Sequence, residues 1–301
     1  MAEITAAMVK SLRERTGAAM MLCKEALVEN NGDVEEAIVY IRKKLGAKLS
    51  DRGDRVAAEG VIAVAVVDSR DAAIIELNSE TDFVARNEDF KSLATQLAHQ
   101  VAHSKGGTVD VILEQAYHAD GSQTMQEKLH DVFTKLRERI VFRRFELIST
   151  DDRGVLATYV HVPANDRIGV LVELEAPDAA AAATPEARTA GKEIAMQVAA
   201  GKPHYATRED VPAAKVEQEL SIARETARNE GKPEAAIEKI AQGRLKAFYE
   251  EVVLLEQGYL RDTKKSVEQY LKEAGFSLRQ FVRYEVGEVT ESGSAPEAAS
   301  E

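Results

Sequence analysis

Apolar residues first recur at helical spacing. Ile4, Met8 and Leu12 fall about one turn apart, and Thr16-Gly17 ends the run because glycine tolerates the left-handed conformation that closes a helix. A second helix is predicted over 18–28, closed by Asn31-Gly32. Asp33 with Glu36 then makes a capping-box pattern ahead of Val34, Ala37, Ile38 and Ile41. Three helices this short read as a small bundle over 1–45, and the polar, basic stretch 46–59 with Gly53 reads as a linker.

The period changes after residue 60. Segments 61–67 and 72–77 are apolar and rich in β-branched residues, and Asp68-Ser69-Arg70-Asp71 separates them, which is a hairpin signal. Ser79-Glu80-Thr81-Asp82-Phe83-Val84 follows, and then a helix whose stripe is Phe90, Leu93, Leu97 and Val101. A polar stretch at 104–121 precedes an amphipathic segment at 125–139 and a strand at 140–148.

Sliding the chain by 97 positions superposes Glu76 on Glu173, Leu77 on Leu174, Ala98 on Ala195 and Gln100-Val101-Ala102 on Gln197-Val198-Ala199. Arg70 likewise falls on Arg167, and Ile74-Ile75 on Leu171-Val172. Each copy is a hairpin followed by a helix, so a duplicated core is expected. From Asp210, read as a cap, the stripes Val216, Leu220, Ala223, Ala227 and Ile237, Ile240, Ala241, Leu245, Phe248 flank a Gly231-Lys232-Pro233 turn. They predict an antiparallel helical hairpin. A last helix before Gly275 and a strand from Phe276 to Val286 complete the pattern.

The predicted fold class is α+β: a three-helix N-terminal domain (1–45), a linker (46–59), a first core subdomain (60–139) and the first part of a second (140–209). An inserted coiled-coil hairpin (210–250), a segment completing the second subdomain (251–287) and an acidic tail (288–301) too poor in apolar residues to fold account for the rest.

Charge and chemistry narrow the function. The net charge of −12 argues against nucleic acid, and the cluster Arg42, Lys43, Lys44, Lys48, Arg52 and Arg55 reads as a solvated helix end and linker. No apolar run is long enough to span a bilayer, the first residues lack a signal-peptide layout, and Cys23 is the single cysteine, so a reducing cytoplasm is expected. There is no phosphate loop, GxGxxG, GxSxG or CxxC, and no catalytic residue, cofactor or metal is expected. Asp151-Asp152-Arg153-Gly154 matches DxxG but reads as a turn. His99 and His103 share a helix face without the Glu of HExxH or a visible third ligand.

Thr81-Asp82-Phe83-Val84 stands out, because an aromatic follows a charge at a strand-to-helix junction. One reading is an ordinary first turn with Phe83 folded inward. The second copy carries Asp178, Ala179, Ala180 and Ala181 at these positions, so the fold unit tolerates alanine there. That favours Phe83 as a presented anchor for a partner.

The run Arg13-Glu14-Arg15-Thr16-Gly17-Ala18 with Met20-Met21-Leu22-Cys23-Lys24, together with Glu80-Thr81-Asp82-Phe83-Val84-Ala85, resembles the two signature regions of the elongation factor Ts family. Arg167-Ile168-Gly169-Val170-Leu171-Val172 and Phe281-Val282-Arg283-Tyr284-Glu285-Val286-Gly287-Glu288 are similar to later segments of that family. The resemblance implies a ubiquitin-associated-like (UBA-like) N-terminal domain, a two-part core, and a hairpin that makes dimer contacts in some members, hence a homodimer or heterotetramer. It implies a guanine-nucleotide exchange factor that binds elongation factor Tu in its GDP form. Thr81, Asp82, Phe83 and Val84 would enter between helices of the GTPase and disturb its magnesium site, with Met20 and Met21 as a secondary contact. By its stripe Met20 is also a candidate core residue beside Cys23 and Leu27, which makes Met21 the better contact. The alternative is a UBA-type adaptor or scaffold without exchange activity.

Overall fold

The computed structural model describes residues 4–16, 18–50 and 57–288. The expected acidic tail beyond Glu288 and the linker residues 51–56, with Arg52, Gly53 and Arg55, lie outside the described residues. Three helices open the chain: α1 (Ala6–Thr16), α2 (Met20–Glu29) and α3 (Val34–Ser50). They enclose Leu12, Cys23, Ala26, Leu27, Ala37 and Ile41, the positions that the 3.6-residue period places inward. Asn31 and Gly32 take positive φ (51° and 86°), and Asp33 Oδ1 accepts the amides of Glu35 and Glu36 at 2.9 and 3.0 Å. Helix α3 runs on to Ser50, past the boundary expected at 45/46. One interior glycine, Gly46, weakens a helix by only about 1 kcal/mol.

The first half of the core contains β1 (Glu59–Val67), β2 (Asp71–Ser79), α4 (Asp82–Ala85), α5 (Glu88–His103), α6 (Val109–Glu114), α7 (Met125–Leu136) and β3 (Ile140–Ser149). Asp68 and Ser69, both at positive φ, make the primed turn that suits a twisted hairpin, closed by the Arg70 amide on Val67 O. The strands form an antiparallel sheet in the order β1-β2-β3. Because β3 pairs along all of β2, the boundary expected at 139/140 would cut this sheet, and the first unit extends through Ser149. The stretch 104–121 also holds a helix, α6. It has one fully buried residue, Ile112, too few for a period to be visible in sequence.

The second half contains β4 (Gly154–Val160), β5 (Ile168–Glu175), α8 (Ala179–Ala182), α9 (Pro185–Gly201), α10 (Ala213–Asn229), α11 (Glu234–Val252), β6 (Gly258–Tyr259), β7 (Asp262–Ser266), α12 (Val267–Ala274) and β8 (Ser277–Glu285), with a sheet ordered β4-β5-β8. The expected duplication is present down to single hydrogen bonds. Helices α4 and α8 begin and end 97 residues apart. Opposite the buried Glu76 and Glu173 the ladder bulges at the same place, and the extra residue is an arginine bonded to that carboxylate: Arg143 at 3.2 Å and Arg279 at 3.0 Å. The buried Gln100 spans the Gln115 side chain, Ala116 O and the His118 amide, while Gln197 spans the Gln257 side chain, Gly258 O and the Leu260 amide.

Where the first half has α6, the second inserts α10 and α11, whose seam includes Leu220, Ala223, Ala241 and Leu245. Asp210 does not cap α10 as expected. It closes a preceding turn by accepting the amide and hydroxyl of Thr207 at 2.8 and 3.0 Å, and Pro212 stands at the helix start. A bridge between Tyr205 and Val253 joins the feet of the hairpin.

The two sheets face one another across Ile62, Ala72, Ile74, Ile148, Leu171, Tyr284 and Val286. Alternate residues of β2 (Ala73, Ile75, Leu77) turn to the other face, toward α5 and α7, so β2 is buried on both sides and reads as a continuous apolar run. The sheets approach closely at Gly169, where a Cβ would lie 2.3 Å from a methyl of Ile62.

Candidate functional site

The segment 81–84 leaves the end of β2 as one helical turn. Thr81 has extended backbone, and its hydroxyl accepts the Val84 amide at 3.5 Å. The turn is held from outside as well. Glu138, 57 residues away in the turn between α7 and β3, accepts the Thr81 amide at 2.9 Å through one carboxylate oxygen and the Thr81 hydroxyl at 2.6 Å through the other. In return Glu80 accepts the Arg139 amide at 3.0 Å, and the Ser79 hydroxyl donates to Thr81 O at 2.9 Å.

On this turn the four expected site residues divide. Val84 is 8% exposed and belongs to the core with Phe90 and Leu93, so it anchors the turn rather than presenting itself. Asp82 is on the surface, paired with Arg86 at 3.0 Å. Phe83 is 82% exposed, the most exposed large apolar side chain among the described residues. An aromatic of that size in water forgoes roughly 2 kcal/mol of burial. The second half shows the same turn without it: Asp178 caps α8 by accepting the Ala181 amide at 2.8 Å, and Ala180 takes the place of Phe83.

The other two candidates lie on α2. Met21 is 75% exposed and Met20 54%. The stripe that grouped Met20 with Cys23 and Leu27 therefore fails at its first member, which starts the helix, while the other two are fully buried. Burial pushes the Cys23 thiol up, away from reactivity.

His99 and His103 are joined by His118, whose ring stacks on His103 at 4.2 Å between centroids and lies 6.3 Å from His99. No group of three His, Cys, Asp or Glu side chains among the described residues is placed to hold a metal ion. The DxxG match is a turn, with the Gly154 amide on Asp151 O at 3.2 Å. No helix among the described residues is long and apolar enough to cross a membrane.

The repeat led to the expectation that Phe83 is exposed, as it is, but no local pattern points to the Glu138 contact with Thr81. Fold and site together define a duplicated α+β protein that presents one exposed aromatic on a clamped turn. A family model described as elongation factor TS matches residues 80–288, more than two thirds of the chain, starting at the residue before Thr81. The chain belongs to the elongation factor Ts family, whose members are in general nucleotide exchange factors of translation elongation that interact with elongation factor Tu.

Proposed function

We propose that this chain binds elongation factor Tu in its GDP form and promotes GDP release by driving Phe83 between helices of the GTPase, so that its magnesium site is disturbed. The observation that carries this reading is the exposure of Phe83 on a turn fixed at both ends, where the duplicate has alanine. A GTPase holds GDP through backbone amides, a lysine and magnesium acting together on the phosphates. Shifting the magnesium leaves phosphate charge poorly compensated. A protein that prefers the nucleotide-free conformer must by linkage weaken GDP by the same factor. Asp82, tied to Arg86, orders the turn, Val84 roots it, and no bond is made or broken.

Met20 and Met21 on the UBA-like bundle form a second contact, and α10 with α11 serves assembly, as a homodimer or heterotetramer. The domain division proposed is a three-helix unit, two core halves and the hairpin, working in the cytoplasm without nucleic acid. Exposure of Met20 and Met21 also suits an adaptor without exchange activity.

Release of fluorescent GDP from elongation factor Tu separates the readings. Exchange predicts a rate that rises with this chain and saturates, and a stimulation that shrinks once magnesium is chelated. Binding without faster release supports the adaptor.

A further inference from the structure

We propose that Glu138 is a positioning residue for Phe83, an inference that rests on the exchange reading above. Its two carboxylate oxygens engage the amide and hydroxyl of Thr81, the residue that caps α4, at 2.9 and 2.6 Å. A charge-assisted, two-point contact fixes direction as well as distance. The Thr81 hydroxyl is thereby oriented: it donates to Glu138, which leaves its lone pairs for the Val84 amide. Rotation of the cap would swing Phe83, two residues on, whereas Val84 pins only the inner side of the turn.

The duplicate supplies the control. The residues closing α7 and α12, Arg137 and Gly275, are both left-handed. From there to the strand residue that pairs with Leu77 or Leu174, the first half has residues 138–141 and the second only 276–277. The connection that holds Glu138 is thus two residues longer in the half that carries Phe83, one of them in the turn and one at the start of β3. At the strand end the second half has Pro177 where the first has Glu80, which grips the Arg139 amide of that same longer turn. The aromatic, the carboxylate clamp and the longer turn occur together in one half and are absent together from the other. A turn that needed only to fold would not require them, since α8 forms without them.

The test compares wild type, Glu138→Ala, Phe83→Ala and the double variant in GDP release from the GTPase, read above the uncatalysed rate over a range of concentrations. Hydrogen exchange at the Val84 and Ala85 amides is followed in parallel. For Glu138→Ala the maximal release rate should fall about tenfold while the half-saturating concentration changes by less than about twofold. The two amides should exchange about tenfold faster. Because Glu138 acts through Phe83, the double variant should be no slower than Phe83→Ala alone. Glu138→Gln keeps the shape but loses one acceptor and should fall between; it serves as the variant read if Glu138→Ala does not fold. A wild-type maximal rate in either Glu138 variant, or a double variant whose loss is the product of the single losses, overturns the proposal. If amide exchange rises in Glu138→Ala but wild type never accelerates GDP release, the exchange reading fails and only a structural clamp remains.

Discussion

Two adjacent residues show how little chain separates an exposed position from a core position. Phe83 stands in solvent and Val84 is sealed against α5. Val84→Ala should lower stability by about 1–3 kcal/mol through lost burial and a partial cavity. Phe83→Ala should change it by less than about 0.5 kcal/mol. Urea unfolding of both measures the contrast, and a large loss in Phe83→Ala would make it a packing residue. Exposure of Phe83 was legible because the duplicate tolerates alanine. The burial of Val84 was not, because a four-residue helix is too short to show a period. Glu138 was invisible for another reason: its contact is set by the turn after α7 and not by any neighbour in sequence.

At the scale of elements, the long periodic segments α5, α7, α10 and α11 were legible because each buries a continuous stripe. Helix α6 was not, and for β3 the strand was legible but its partner was not, since pairing across 60 or more residues leaves no local trace. The loop carrying His118 has a pH signature. Burial holds its imidazole below the ordinary histidine range, the charges of His103 and His99 add to this, and Asp120 opposes it. Lys128, 3.9 Å from Asp120, limits that opposition. Unfolded, His118 takes up a proton near pH 6.5, whereas folded it does so only at lower pH. Stability therefore rises with pH through that window and is lost as the pH falls below it. His118→Leu, the residue found at Leu260 in the other half, should flatten the dependence of melting temperature on pH between about 5 and 7. An unchanged slope contradicts this. For the hairpin, the bridge between Tyr205 and Val253 gives a closed foot at which α10 and α11 can be replaced by a short glycine linker. The core should fold and keep exchange within about twofold, because the hairpin seam is satisfied within the pair. Normal folding with lost exchange would place the hairpin in the partner interface.

Across the whole molecule, the two halves are locked by their facing sheets and by Glu76, which accepts the Gly287 amide at 3.1 Å and pairs with Arg144 at 2.7 Å. The last described residues are thereby tied to the first sheet. Truncation after Glu288 leaves these contacts intact and should change neither melting temperature nor exchange; a fall of several degrees would show that residues beyond it pack. The duplication was legible as an offset of 97, but the sheet-on-sheet arrangement was not, because β2 and β5, buried on both faces, lose the alternation that would have shown two sides. On the proposed function, the double sheet is the base from which Phe83 acts, since a wedge transmits force only from a fixed base. The most direct measurement is the maximal rate of GDP release from elongation factor Tu at saturating wild type and at saturating Phe83→Ala. A wedge at Phe83 predicts a much reduced maximal rate for the variant, with binding retained and a melting temperature close to wild type. A wild-type maximal rate in Phe83→Ala would contradict it.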